Sequence, residues 1–364
     1  MGGPRAHALL APVVNPRQSG EAPDTDLQGE LNLTRMKIAV LHNRRPAELP
    51  EGAPDDTFEE YDGPETISAI VQAITGLGAV GTPVEANVRM IETLREGGFD
   101  FVFNIAEGTG RRCREAVPAA ICEHLGLPYS GSDPLTLAVT LDKWMARRVV
   151  SPDVPVAAGL LFDGDADLTT LRLPVIVKPN DEGSSKGIRS GAVCADRASA
   201  VRRALEIQCQ YECPVLIEEF LPGAEITVAV RGNGSSAMVL GMMEIAPAVE
   251  SGEPFVYSVE VKRDYLRQVC YYVPPRLPAT HLAKIGQYAL TAYRLLGCRD
   301  FARMDFRLDA AGAPRFLECN PLPGLNPVSS DLVILSRGLL AYEKLVQGIL
   351  LDGMARAGIR WSYR

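Results

Sequence analysis

The chain has 364 residues, 46% of them hydrophobic and 23% charged, with a formal net charge of −8. That is the balance of a soluble globular protein with room for two or three modules. It excludes the broad basic face that a nucleic-acid partner needs, and no apolar run reaches the length of a membrane span. An anionic ligand in a local basic pocket stays open. Eight cysteines and four histidines, without paired CxxC motifs, argue against a zinc site and fit reduced thiols in a cytoplasmic protein.

Residues 1–35 are rich in Pro, Gly and polar residues and read as a flexible tail, with Met36 as an alternative start. The HALLAPVV piece after Arg5 lacks the clean core and cleavage site of a secretory signal. A buried strand is expected over 37–41. From 43 to 62 the chain is turn-rich and acidic, with Asp55, Asp56, Glu59, Glu60 and Asp62 close together. The plain reading is a solvated loop; the alternative is a flap that contacts a cationic or amino-bearing substrate. Pro64-Glu65 opens a helix with Ile67, Ile70, Val71 and Ile74 at helical spacing, ended by Gly76 and Gly78. A strand over 80–84, a helix over 88–95 and a strand over 99–104 complete a βαβ pattern and predict a parallel sheet. Ligands bind beyond the carboxyl ends of such strands. Glu107 and the arginines at 111 and 112 are therefore site candidates, weighed against ordinary loop charges.

A helix over 114–125 leads to GLPYSGSDP (126–134), a turn cluster that reads as a module boundary. The next helix, over 134–150, contains Asp142-Lys143. Then comes LPVIVKPNDEGSSKGI (173–188). Its apolar run ends at Lys178, Pro179 and Asn180 break the strand, and a Gly/Ser turn beside two lysines bares N–H groups that suit phosphate oxygens. The plain alternative is a polar hairpin turn. Further strands are expected over 215–221, 225–230, 301–308 and 315–320, with turns at Gly234, Gly252 and Gly312. Helices are expected over 280–296 and 339–351, the last as packing. Alternation places Arg303 and Asp305 on one strand face, and Glu318 and Asn320 on one face of the next. Two carboxylates and a carboxamide are hard oxygen ligands that suit Mg²⁺ bound largely through a nucleotide's phosphates. The plain reading is a polar strand pair with surface ion pairs.

Taken together, these motifs resemble the ATP-grasp carboxylate–amine ligases, and within them the D-alanine–D-alanine ligases. The resemblance covers about 37–351. It rests on GLPYSGS (126–132) with Asp142-Lys143, LPVIVKPNDEGSSKGI (173–188), VLIEEFLPGAEITVAV (215–230), Lys262, ARMDFRL (302–308) and FLECNPLPGLNP (316–327). It implies an α/β chain of the α+β ATP-grasp type. A Rossmann-like substrate domain over 36–132 would precede two ATP-grasp subdomains, 133–223 with the phosphate lid and 224–364 with the metal site, and the nucleotide would lie between them.

The resemblance also implies roles by matching position. Lys143, Lys178 and Lys262 would contact the ATP phosphates. Glu182, Gly183, Ser184 and Ser185 belong to a lid over the β- and γ-phosphates. Glu218, Glu219, Phe220 and Leu221 would border adenine, and Glu225 the ribose hydroxyls. Asp305, Glu318 and Asn320 match ligands for two Mg²⁺ ions, with Mn²⁺ as a substitute. Arg303 and the backbone at Gly324 would stabilise the oxyanion, Ser184 would orient the attacking amine, and Ser329 would grip the second substrate's carboxylate. A homodimer acting on small amino acids or peptides follows from the same likeness.

Three departures fall on the substrate side. The family's early Gly-rich turn with Ser and Glu is missing, and Glu65 is the nearest match to the glutamate that holds the first substrate's amino group. The His-Gly segment is replaced by residues 104–111, which include Glu107. The tyrosine expected after Lys262 is Arg263, with Tyr265 nearby. These changes imply substrates other than two D-alanines, such as a peptide or specialised-metabolite coupling. A strict D-alanine–D-alanine ligase, a nucleotide-binding protein without ligation, and an ATP-grasp enzyme that stops at phosphorylation are the competing readings.

Overall fold

The computed structural model describes residues 36–360 apart from positions 165, 250, 251 and 253. The tail expected over 1–35 lies outside the described residues. The first sheet grows from β1 (Lys37–His42), α1 (Pro64–Thr75), β2 (Val80–Glu85), α2 (Met90–Glu96), β3 (Phe101–Asn104) and α3 (Ala116–Leu125), its strands parallel in the order β2-β1-β3. Ile38, Ala39, Val40 and Leu41 are fully buried, as a parallel strand covered on both faces requires. Residues 128–130 do not simply turn: Val102 donates to Pro128 O and accepts from Ser130 N–H, so this stretch runs beside β3.

Next come α4 (Pro134–Leu141) and α5 (Lys143–Val150), then β4 (Gly159–Phe162), β5 (Val175–Pro179), β6 (Val193–Cys194), α6 (Arg197–Tyr211) and β7 (Val215–Glu219). The strands form an antiparallel sheet, β4-β7-β5-β6, with Ala200, Ala204 and Ile207 of α6 packed on it. The single helix expected over 134–150 is two helices. Asp142 breaks it with φ −82° and ψ 96°, and its carboxylate accepts from Met145 N–H at 3.0 Å, which makes it the N-cap of α5. Lys143 is therefore the first residue of a helix rather than the middle of one.

The third sheet uses β8 (Glu225–Arg231), β9 (Met238–Pro247), α7 (Val259–Arg263), α8 (Tyr265–Gln268), β10 (Val269–Tyr272), α9 (Ala279–Leu295), β11 (Phe301–Leu308), β12 (Pro314–Asn320), α10 (Asp331–Ser336) and α11 (Tyr342–Arg356). Its antiparallel order is β10-β9-β8-β11-β12. One face packs on Ile285, Ala289 and Tyr293 of α9 and on Ala146 and Val150 of α5. On the other side Leu345, Val346 and Ile349 of α11 share a core with Ile38 and Val40 of β1 and Ile70 of α1. The helix expected over 339–351 thus starts and ends later, and it joins two sheets. Among the described residues no helix is long and apolar enough to cross a membrane.

Asp300 ties these layers together from a fully buried position. It accepts from Gly131 N–H at 2.7 Å, from Asn233 Nδ2 at 2.9 Å, and from Arg356 Nε and Nη2 at 3.0 and 2.9 Å. Removing one partner of a buried ion pair leaves the other charge unsolvated, so Asp300→Ala should cost about 3–5 kcal/mol. Urea unfolding of the variant measures this loss, and Asp300→Asn should recover part of it.

Candidate active site

A cleft lies between the second and third sheets, and strand alternation builds its walls. Ile176, Lys178, Glu218, Phe220 and Leu221 line one side, and Glu225, Asp305, Arg307, Leu317 and Glu318 the other, with Ser185 and Tyr257 at the edge. Most of the nucleotide set expected from the sequence is thereby brought together, and Glu219 joins the lining. Lys178 is 5% exposed and Glu218 2%. Charges buried this far need partners. The Lys178 ammonium and the Arg147 guanidinium both pair with Glu218. Burial would raise the Glu218 pKa, but those two cations outweigh it and lower it. Arg147 went unnoticed in the sequence, although it lies one helical turn after Lys143 on α5.

The strand pair β11–β12 sets Asp305 opposite Glu318 and Arg303 opposite Asn320, with a bulge after Asp305. Arg303 Nε and Nη2 donate to Asp305 Oδ2 at 3.0 and 2.9 Å. Nη1 reaches Asp331 Oδ2 at 3.4 Å, and Nη2 lies 3.8 Å from Glu318 Oε1. Thr227 Oγ1 donates to Asp305 Oδ1 at 2.9 Å, and Lys143 Nζ lies 3.4 Å from Glu318 Oε2. Burial pushes the Glu318 carboxyl up, yet Lys143, Lys178, Arg303 and Lys262 together hold it at about 2. For Asp305 burial prevails over Arg303, and the Glu318 charge adds to the upward shift. Arg303 is held firmly protonated by Asp305, Asp331 and Glu318 against its own burial. The donor set fits a hard divalent cation: two carboxylates and a carboxamide on adjacent strands, with cations on the flank, while Cys319 between them packs in the core against Cys298.

The loop after β5 is anchored at Asn180. Asn180 Oδ1 accepts from Trp144 N–H at 2.9 Å, and its Nδ2 donates to Asp142 Oδ1 at 2.7 Å. Lys143 Nζ donates to the Glu182 carbonyl. Ser184 and Ser185 then take positive φ angles of 49° and 61°. At Gly187, φ is 71° and a Cβ would stand 2.5 Å from Pro179, so only glycine fits. Ser185 Oγ donates to Tyr257 O at 2.8 Å. Two of the N–H groups expected to be bare for phosphate are occupied: Gly183 N–H donates to Glu60 Oε1 at 2.8 Å and Gly187 N–H to Asp56 Oδ2 at 2.9 Å. The acidic segment is correspondingly not a solvated loop, since Asp56 is 0% exposed.

Among the residues expected to border adenine and ribose, Glu219 pairs with Arg172, and Glu225 accepts from Arg307 Nη1 at 3.1 Å. The Arg307 guanidinium stacks 4.8 Å over the Phe220 ring. Lys262 Nζ stands 5.0 Å from the Tyr257 ring centroid.

The substrate-side residues separate into two groups. Glu65 and Ser329 are exposed and meet at Asn326, whose Nδ2 lies 3.4 Å from Glu65 Oε1 and whose Oδ1 accepts from Ser329 N–H at 3.0 Å. Among the described residues no hydrogen bond joins either one to Ser184 or Arg303. Gly324 is exposed in the same turn, where a Cβ would meet Ser330 Oγ at 2.8 Å. Glu107 belongs to the other group, with carboxylate oxygens of Glu60, Glu107 and Glu115 within 4.8 Å of one another. Burial, then the neighbouring carboxylates, raises the Glu107 pKa well above its usual range. Arg263 donates to Asp55 Oδ2 at 2.6 Å and to Glu59 Oε2 at 2.9 Å. Glu60, Arg114 and Lys186 knit this region; the sequence marked Glu60 as one of an acidic cluster and Lys186 as a lysine of the Gly/Ser turn, but gave no sign of Arg114 or of the pairing. Their partners are 54 to 126 residues apart, so spacing gave no sign.

A family model described as "D-ala D-ala ligase C-terminus" matches residues 165–351. A D-alanine–D-alanine ligase of Bordetella petrii is 34% identical over 88% of this chain and 93% of its own length. One from Actinobacillus succinogenes is 31% identical over 88% of this chain and 98% of its own. A Bacillus anthracis D-alanine–D-alanine ligase solved in complex with ATP superimposes with a TM-score of 0.67 over 89% of this chain and 99% of that one, at 20% identity. The two antiparallel sheets closing on a charged cleft are thus the ATP-grasp arrangement, and the chain belongs to the D-alanine–D-alanine ligase family as an ATP-dependent, ADP-forming ligase.

Proposed function

We propose that the enzyme joins the carboxylate of one amino acid or peptide to the amine of another through an acyl phosphate, with ADP and phosphate as products. One observation carries this reading: Lys143, Lys178 and Arg303 converge with Asp305 and Glu318 in a single cleft. A carboxylate is a poor electrophile until it is phosphorylated, and phosphoryl transfer needs its charge neutralised. Lys143, Lys178 and Lys262 hold the phosphates. Glu218 pairs with Lys178 and keeps it in place, Phe220 and Leu221 flank the base, and Glu225 takes the ribose. Asp305, Glu318 and Asn320 would hold Mg²⁺, which lowers the charge on the transferred group when bound; Mn²⁺ has the same ligand preference. Arg303 and the backbone at Gly324 receive the oxyanion of the tetrahedral intermediate. Ser184 orients the attacking amine, while Glu65 and Ser329 hold the termini of the substrates. The division into 36–132, 133–223 and 224–364, a homodimeric state and a cytoplasmic location belong to the same proposal.

The name of the relatives makes a D-alanine pair the reference substrate. Glu107 beside Glu115, and Arg263 held by Asp55 and Glu59, favour a different pair. A phosphate-release screen over D- and L-amino acids and dipeptides, with mass spectrometry of the products, decides between them. ADP formed only in the presence of substrate, with a product of the condensed mass, is the expected result. Tight ATP binding without stimulation by any amine contradicts ligation.

Asp305→Ala or Glu318→Ala should lower ATP turnover by about 10³-fold or more, since each removes a hard ligand and unbalances Arg303 or Lys143. Chelation should abolish turnover in the parent enzyme, with recovery on adding Mg²⁺ or Mn²⁺. Full activity in either variant sinks the metal assignment.

The carboxyl of Glu115, 6% exposed, is pushed up to about 7 by burial, with Glu60 adding to it against Arg114. The folded state therefore holds this proton where the unfolded chain has released it. Stability should fall as pH rises from about 4.5 to about 7, by up to about 1.4 kcal/mol per unit. Glu115→Gln should flatten that slope and gain on the parent as pH rises; urea midpoints across the range measure it, and parallel curves for the two proteins contradict it.

A further inference from the structure

Three segments from the connections of three different sheets meet at the phosphate loop: residues 55–60 after β1, residues 182–189 after β5, and α7. Asp55 pairs with Arg189 of the second and Arg263 of the third. Asp56 accepts from Gly187 N–H and from the Tyr211 hydroxyl, each at 2.9 Å, and its Oδ2 lies 2.9 Å from Arg189 Nη2. Glu59 pairs with Arg263 at 2.9 Å. Glu60 accepts from Gly183 N–H at 2.8 Å, from Lys186 Nζ at 3.2 Å and from Arg114 Nη2 at 2.8 Å. Arg114 in turn donates to Asp181 O at 2.8 Å and stands 3.3 Å from Glu182. Arg189 also faces Glu260 at 3.4 Å.

These contacts are graded in burial. Glu60, Arg114 and Lys186 have side chains 4%, 6% and 9% exposed, whereas Asp55 and Arg263 are 57% and 38% exposed. Breaking an inner pair strands a charge out of water, while an outer pair exchanges readily with solvent. A loop that admits ATP, then excludes water while an acyl phosphate exists, needs a hold of this kind, strong when shut and open to water at its rim. The acidic residues also bond the loop's own N–H groups at Gly183 and Gly187, so they fix its backbone and not only its side chains.

We propose that the 55–60 segment is a latch that holds the 182–189 loop shut over the nucleotide cleft, with Asp56 and Glu60 as its positioning residues. Its contacts stand on geometry alone, and its consequence for coupling rests on the ligase reading above. Latch variants should leave the acyl phosphate open to water, so that phosphate is released without an amide bond.

Two measurements test this on the full chain. In limited trypsinolysis without ligands, cleavage after Lys186 or Arg189 should run about tenfold faster in E60Q/D56N than in the parent, because cleavage reports the open population and the lost pairs are buried. In turnover, the ratio of phosphate released to amide formed should rise several-fold above the parent's. Glu60→Asp, which keeps the charge, should restore both toward the parent. Should the double variant fail to fold, Asp55→Asn at the exposed rim should move both in the same direction by about threefold. Cleavage and coupling equal to the parent in folded E60Q/D56N or in Asp55→Asn overturn the latch. Faster cleavage with no amide from any substrate pair keeps the latch and overturns the ligase reading instead.

Discussion

Water sets the terms for this cleft. Lys143, Lys178, Arg147, Glu218, Arg303 and Asp305 are all buried, and an ion without water is tolerated only beside a counter-ion. Each of them is therefore fixed in place by another. Glu218 holds two cations, Arg303 is shared among three carboxylates, and Lys143 reaches both Glu318 and the carbonyl of Glu182. The result is preorganisation: the charges proposed to meet phosphates are already fixed in place, and little solvent has to be rearranged as charge moves.

The two halves of the site are built differently. On the proposed nucleotide side, cations pair with anions, and the charged groups sit on β5, β7, β11 and β12 and on α5. On the substrate side, carboxylates outnumber cations, and they sit on the connections after β1 and β3. Burial and mutual repulsion raise the pKa values of Glu107 and Glu115, whereas Arg114 and Lys186 keep Glu60 ionised despite complete desolvation. The cleft carries the residues that match the family's motifs, and the connections after β1 and β3 carry the departures from them.

Those halves were also unequally legible in the sequence. Continuous apolar runs marked β1, β3 and β5, and the last of these ends at Lys178, which lines the cleft. Strand alternation put Arg303 with Asp305 on one face and Glu318 with Asn320 on one face of the next strand, while the register that sets Asp305 opposite Glu318 came from the structure. The break at Asp142 was hidden because apolar residues keep helical spacing across it, and only its role as a cap betrays it. The acidic segment was harder still. Asp56 and Glu60 find their partners 123 to 155 residues later, in the loop at 183–187 and at Tyr211. Composition could show that charge was concentrated there, but not that it was neutralised by a distant loop. The substrate-side termini remained ambiguous for the same reason, since Glu65 and Ser329 are related only through Asn326.

Ser184 and Ser185 give the shut loop a mechanical character. Each holds a left-handed backbone that costs an L-residue about 1–2 kcal/mol relative to the ordinary right-handed region. Two such residues in succession strain the loop in the conformation its contacts hold, and on the latch reading that strain favours opening. Opening is then driven from within the loop, while closing is driven by charges outside it. On the latch reading the forward and return strokes of one movement are thus governed by different residues, the backbone of Ser184 and Ser185 for one and Asp56 and Glu60 for the other.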